Sequence, residues 1–313
     1  MFNIVVSRVK NEDGFIENFI DHYLNLGFDL ICLLFEKDEP RTFNNNQVIC
    51  IEHFKKGDEI CEFIPFIIKE NINNKIKVDW VLHVDIDEFL FLNNMKIKDY
   101  INKFNIDDRV EQFSFKWGCI ENYCSINTEN DFNNMLYTHK IFTNDSYKSM
   151  YKLSAACENS TCPHWVYVKN NQTYHDYDKI NDEYCLGIDK KYYLNAIIIH
   201  FHTRCLENTF IKALTYSFDD RNNDKNILLE NHSIDYLIDN MRKLNLPFEH
   251  STKGQVFEFN ELFQLKFETN TIINKDIINQ KLQEICNNLD IDINIINNYI
   301  QELETTYFNT FLR

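Results

Sequence analysis

Glycine and proline are scarce in this chain, six and four in 313 residues. That excludes a long flexible linker or a low-complexity tail, which both need them. Ten cysteines are present, but no two stand in a Cys-x-x-Cys pair. A zinc ribbon and a thioredoxin-type redox motif are therefore excluded. Cys32 and Cys50 sit in apolar runs and read as reduced core residues. Positive charge is also short: 32 Lys and Arg stand against 48 Asp and Glu, a formal net charge of −16. Phosphate backbones and anionic bilayers both need a basic face, so neither a nucleic-acid partner nor a membrane-surface anchor is expected. No apolar run reaches membrane-spanning length, so no membrane span is expected. The opening residues read as a strand interrupted by Arg8 rather than as a signal peptide. The expected compartment is the cytoplasm.

What is abundant is aromatic and aliphatic mass. The chain has 26 Phe and 16 Tyr and is 44% hydrophobic, enough for a large core in a soluble domain. Residues 2–7 read as a buried strand, followed by a polar turn to Gly14. Apolar residues at 15, 16, 19, 20, 23, 24 and 26 keep the helical period, and Gly27 closes the helix. Strands are expected at 30–35 and 47–52, a helix at 58–71 and a further strand at 80–84. This alternation predicts an α/β fold, a mainly parallel central sheet with helices on its faces. A short helix is expected at 97–104, then strands at 112–118, 137–142 and 148–152, a loop over 157–190, and a strand at 196–199. A helix over 207–218 follows. Beyond about residue 225 helical patterns dominate, with one strand-like interval near 255–259. The chain thus divides into a 1–225 domain and a 226–313 helical extension. The apolar faces of that extension fit packing on the sheet or dimerisation equally well.

One stretch organises the rest: Trp80-Val-Leu-His-Val-Asp-Ile-Asp-Glu-Phe-Leu-Phe-Leu92. An apolar strand leads into two aspartates, Asp85 and Asp87. If the strand continues through them, His83, Asp85 and Asp87 share one side. Carboxylates at the carboxyl end of a buried strand are costly unless something binds them. In open α/β sheets that end is where ligands sit. A magnesium or manganese ion carrying a diphosphate suits two carboxylates. His83 by itself reads as an interior histidine. The second stretch is Ile199-His-Phe-His-Thr-Arg204, where His200 and Arg204 follow another buried strand.

The chain resembles glycosyltransferase family 92 and related family 2-like proteins in three places. These are Val6-Ser-Arg-Val-Lys-Asn-Glu-Asp13 with the helix after it, the Asp85-x-Asp87 stretch, and the His200 to Glu207 segment. They occur in the family's order over roughly the first 220 residues. The resemblance implies a GT-A (Rossmann-like) fold, a nucleotide-diphosphate sugar donor, most readily a UDP-sugar, and a manganese or magnesium ion. The acceptor would be a hydroxyl of a glycan or another molecule, and the transfer inverting. Carried over residue by residue, Lys10, Asn11 and Glu12 would line the nucleotide pocket. Asp85 would meet the ribose or the metal shell, Asp87 and His200 would ligate the metal, and Arg204 would pair with the diphosphate. Glu36 stands where the family has an Asp that contacts the base. Phe201 and Cys205 replace its Tyr and Ser.

Inversion requires a carboxylate to deprotonate the acceptor. The polar stretch 175–183 offers Asp176, Asp178, Asp182 and Glu183, and of these Asp182 and Glu183 are the preferred candidates. Two other readings compete. In a haloacid-dehalogenase-type phosphatase Asp85 would be the nucleophile, although Phe89 occupies a position usually held by Thr or Val. A non-catalytic glycan- or nucleotide-binding module would need no donor turnover.

Overall fold

The computed structural model describes residues 2–36, 42–53, 59–105, 108–121, 124–138, 141–157, 166–170, 172–175, 195–215, 256–257, 267–269 and 271–311. The elements in order are β1 (Phe2–Val9), α1 (Ile16–Asn25), β2 (Leu30–Glu36), β3 (Val48–His53), α2 (Glu59–Ile68), β4 (Val78–His83) and β5 (Glu88–Leu92). Then come α3 (Ile97–Phe104), β6 (Gln112–Glu121), α4 (Phe132–Thr138), β7 (Ile141–Lys152), β8 (Thr173–His175), β9 (Ala196–Thr203) and α5 (Leu206–Thr215). The described remainder is β10 (Val256–Phe257), α6 (Lys275–Asn288) and α7 (Ile293–Phe311).

The expected α/β architecture is present. The main sheet runs β3-β2-β1-β4-β7-β6-β9-β5, with β8 and β10 pairing at its side. β1 to β4 pair in parallel, as do β6 and β9, whereas β7 and β5 run against their neighbours. The near-continuous apolar runs of β1 and β2 follow from burial on both faces. Alternation sorts their side chains. Val5, Val9, Ile31, Leu33 and Phe35 join the core under α1, α3 and the last helices. Ile4, Val6, Leu30, Cys32 and Leu34 face the opposite way, onto Ile64 and Ile68 of α2.

Four expectations change. β4 stops at His83, and Asp85 to Glu88 form a turn closed by Glu88 N–H donating to the Asp85 carbonyl at 3.0 Å. The period-two reading of His83, Asp85 and Asp87 therefore does not hold. The apolar residues after the turn form β5, a strand that the sequence reading left unassigned. The expected strand at 137–142 gives way to α4 and to one long strand, β7, because 132–138 keep a helical period that buries Phe132, Met135 and Leu136. β9 extends through Thr203, so His200 lies inside a strand, not beyond one.

β5 ends the main path, and α1 covers its outer edge. The Tyr23 hydroxyl donates to the Glu88 carbonyl at 2.9 Å and accepts from Leu90 N–H at 3.1 Å. His22 Nε2 bonds the Leu90 carbonyl at 2.8 Å. Backbone groups that a buried edge strand would leave unmatched thus find side-chain partners. Around them Phe89, Phe91, Phe132, Phe201 and Phe267 pack edge to face.

The described part of the C-terminal region shares this core. Ile278, Leu282, Ile285, Ile296 and Leu303 cluster with residues of the sheet. Gly14 shows how closely α6 approaches: a Cβ there would stand 2.5 Å from Ile278 Cγ1. Among the described residues no helix is long and apolar enough to cross a membrane.

Candidate functional site

The carboxyl ends of β1 and β4 lie side by side, with Val6 opposite His83 and Val84 N–H donating to the Val6 carbonyl at 3.1 Å. This register sets Arg8 beside the turn at 85–88. β5 then leaves the turn antiparallel to β9 with Glu88 opposite His200, and Phe201 N–H donates to the Asp87 carbonyl at 2.8 Å. The Asp-x-Asp turn is therefore gripped from both sides by strand pairing. The buried Ile86 anchors its underside.

Around the turn four carboxylates meet two lysines, two arginines and His200. Asp85 is the exposed one, its side chain 38% accessible, with Lys148 Nζ at 3.1 Å and Arg8 at 4.0 Å. Lys148, on β7, is fully buried and also bonds Glu88 at 2.9 Å. Glu88 accepts from Trp117 Nε1 at 2.9 Å and from Asp85 N–H at 2.9 Å. Asp87 is buried; its Oδ1 lies 3.4 Å from His200 Nε2 and its Oδ2 3.0 Å from Lys212 Nζ. Lys212, in the last turn of α5, also approaches Glu12 at 3.6 Å. Glu12 pairs in turn with Arg204.

The pairings set the protonation states. Burial pushes the Asp85 carboxyl up, but Lys148 and then Arg8 outweigh it and hold the group well below the usual carboxylate range. Burial is likewise outweighed at Asp87, by Lys212 and His200. Glu88 goes the other way: its burial, with Asp85 alongside, raises it despite Lys148. His200 loses to burial but gains more from Asp87, and is raised to about 10. The Trp117 ring covers the imidazole, centroids 4.9 Å apart.

The sequence candidates divide. Asp85, Asp87 and His200 come together. Arg204 does not offer itself to a diphosphate: its side chain has no accessible surface, and its guanidinium lies 3.7 Å over the Phe15 ring and reaches Asn208 Oδ1 at 3.3 Å. Glu12 is its buried partner, so the residue expected in the nucleotide pocket instead ties the β1–α1 turn to α5. Asn11 has the same role. It adopts a left-handed backbone (φ 53) and donates to Thr215 Oγ1 at 3.0 Å. Lys10 is half-buried beside it. Glu36 ends β2 on the same edge of the sheet, but its side chain lies outside the described residues, as do Asp182 and Glu183. Sequence reasoning missed Lys148, Glu88, Trp117 and Lys212. Only Lys212 left a signal, eight residues after Arg204 and four after Asn208, on one face of a helix.

Among the described residues no group of three or more His, Cys, Asp or Glu side chains is arranged to hold a metal ion. Asp87 and His200 would suit one once the imidazole gives up the proton it holds against Asp87. Ligands about 2.1 Å from a shared ion stand roughly 3 Å apart, close to the separation seen, and ions of this kind take their remaining positions from phosphate and water. Neither a comparison with protein-family models nor a search of curated proteins returns a match, so the functional reading rests on this site.

Proposed function

We propose that the protein is a metal-dependent glycosyltransferase of the GT-A type. It moves a sugar from a nucleotide-diphosphate donor, most readily a UDP-sugar, to an acceptor hydroxyl with inversion. The observation that carries this reading is the meeting of Asp87 and His200 at 3.4 Å on the carboxyl edge of the sheet. Two motifs far apart in sequence, paired only by their resemblance to one family, supply the two residues. The strand order, with an antiparallel β7 beside β4, is compatible with that fold.

Asp87 and His200 would hold manganese or magnesium. Such an ion supplies positive charge where the leaving diphosphate gains negative charge. The chain's own residues do the rest. Lys148 fixes Asp85 and Glu88, so the turn keeps its shape when a ligand arrives. Asp85, ionised and the most exposed carboxylate of the turn, is the group that reaches out to the donor. Trp117 covers one face of His200 and, through Glu88, locks that cover to the turn. The acceptor's proton needs a base, for which Asp182 and Glu183 remain the candidates.

The test is donor hydrolysis against a panel of nucleotide sugars, with manganese, with magnesium and with EDTA, following released nucleoside diphosphate. Manganese-dependent release from one donor, lost in Asp87→Ala, supports the reading and names the sugar. Phosphate release from a generic phosphomonoester, without nucleotide release, would sink it in favour of a phosphatase. Donor binding without turnover, with or without acceptor glycans, would favour a binding module.

A further inference from the structure

We propose that Lys212, not Arg204, is the cation that meets the diphosphate of the donor. The inference rests on the transferase reading and deepens it. Besides His200, four cations border the Asp-x-Asp turn, and they differ in access. Arg204 and Lys148 are sealed, with side-chain accessibilities of 0% and 1%. Arg8 is 24% accessible but sits on the Asp85 side. Lys212 is 30% accessible and lies against Asp87, the carboxylate that faces His200.

Its present partners explain why it is available. Lys212 Nζ bonds Asp87 Oδ2 at 3.0 Å and approaches Glu12 Oε1 at 3.6 Å. Glu12 is also engaged by Arg204, so it is not left bare if Lys212 moves. Lys212 would be repelled by a cation held at Asp87 and so would be free to turn outward. Phosphate oxygens arriving with that cation offer it a new partner within reach of its four-carbon stem. Arg204 has no such freedom, because its guanidinium is stacked on Phe15 and tied to Glu12 and Asn208. A flexible ammonium suits this exchange better than a packed planar fork. Two cations thus have separate tasks: Arg204, between β9 and α5, fastens that junction to the β1–α1 turn, and Lys212, on α5, faces the ligand.

The experiment is calorimetric titration of the full chain with UDP and with UMP in manganese, for wild type, Lys212→Met, Lys212→Arg and Arg204→Met. Loss of one charge-assisted contact to the second phosphate predicts UDP binding weakened about 10- to 100-fold in Lys212→Met. UMP binding should change several-fold less, and Lys212→Arg should recover most of the UDP affinity. Arg204→Met should lower the melting temperature without altering the UDP-to-UMP affinity ratio. If UDP and UMP weaken equally in Lys212→Met, or UDP affinity does not change, the assignment is overturned while the transferase reading stands. If wild type binds none of UDP, GDP, ADP or CDP, the transferase reading itself falls, and the assignment with it.

Discussion

Asp85 and Asp87 stand two residues apart in one turn, yet their surroundings differ in kind. Asp85 looks outward and is balanced from below by Lys148, a buried lysine that it shares with Glu88. Asp87 looks inward, onto His200 and Lys212, which belong to β9 and α5. The first half is a fixed ion network with one exposed edge. The second sets Asp87 against an imidazole and a partly exposed lysine. A motif of two identical residues thus divides its labour through what the topology brings beside each one.

The comparison can be broken most severely at Lys148. Lys148→Met leaves Asp85 and Glu88 without their shared cation, with Glu88 buried. Removing one partner of a buried ion pair costs about 3–5 kcal/mol. The expected result is a much lower urea midpoint at unchanged slope, partly restored by adding Glu88→Gln. A midpoint within error of wild type would show that the Asp85 half is not a fixed network.

Next in size is the contrast between the two aspartates in turnover. Asp87→Asn should reduce manganese-dependent nucleotide release about 10²- to 10³-fold, the range for losing one group that stabilises developing charge. Asp85→Asn should cost clearly less, since Asp85 leans on Lys148 and not on His200. Equal losses would erase the division proposed between them.

The remaining tests reach both halves together, through β5. His22 is buried and its pKa is lowered to about 4, because burial disfavours its charged form more than the Leu90 carbonyl favours it. In the unfolded chain it takes a proton near pH 6.5. Its contribution is therefore complete above about pH 6.5 and is lost as the pH falls toward 4, by up to about 3 kcal/mol. Chemical denaturation across that range should show the slope, and His22→Gln should flatten it. Tyr23→Phe is the mildest change. It strips a partner from the Glu88 carbonyl and from Leu90 N–H, at a cost of about 1–3 kcal/mol. Its melting temperature should drop while the ratio between the Asp85→Asn and Asp87→Asn effects stays constant.

Much of this arrangement was legible in the sequence. Apolar runs gave β1, β2, β3 and β4, and the period of 15–26 gave α1, because burial imposes those patterns directly. β5 was not legible: Phe89, Leu90, Phe91 and Leu92 are apolar on both faces, and such a run carries no period. The polar residues at 85–88 did mark a loop at a strand tip, but Ile86 left open a strand running on through Asp85 and Asp87. In the site, Asp87 and His200 were singled out by their place next to apolar runs and by the family resemblance. Lys148 could not, because its neighbours Ser149 and Met150 are also buried, so no alternation marks it as an intruder. For Arg204, sequence shows that a cation is present but not that its side chain is sealed.

The fit of α6 against Gly14 has a consequence for synthesis. Ile278 closes over the turn after β1, and Asn274 N–H donates to the Gly14 carbonyl at 3.4 Å. Residues of the β1–α1 turn thus wait for residues far later in the chain. Long-range closures of this kind slow folding, and apolar surface left uncovered meanwhile invites aggregation. While the ribosome still holds residues beyond 270, one face of the nascent sheet has α1 and α3 over it but lacks the part of its cover that α6 and α7 supply. Chains stalled or truncated before α6 should need a chaperone to stay dispersed.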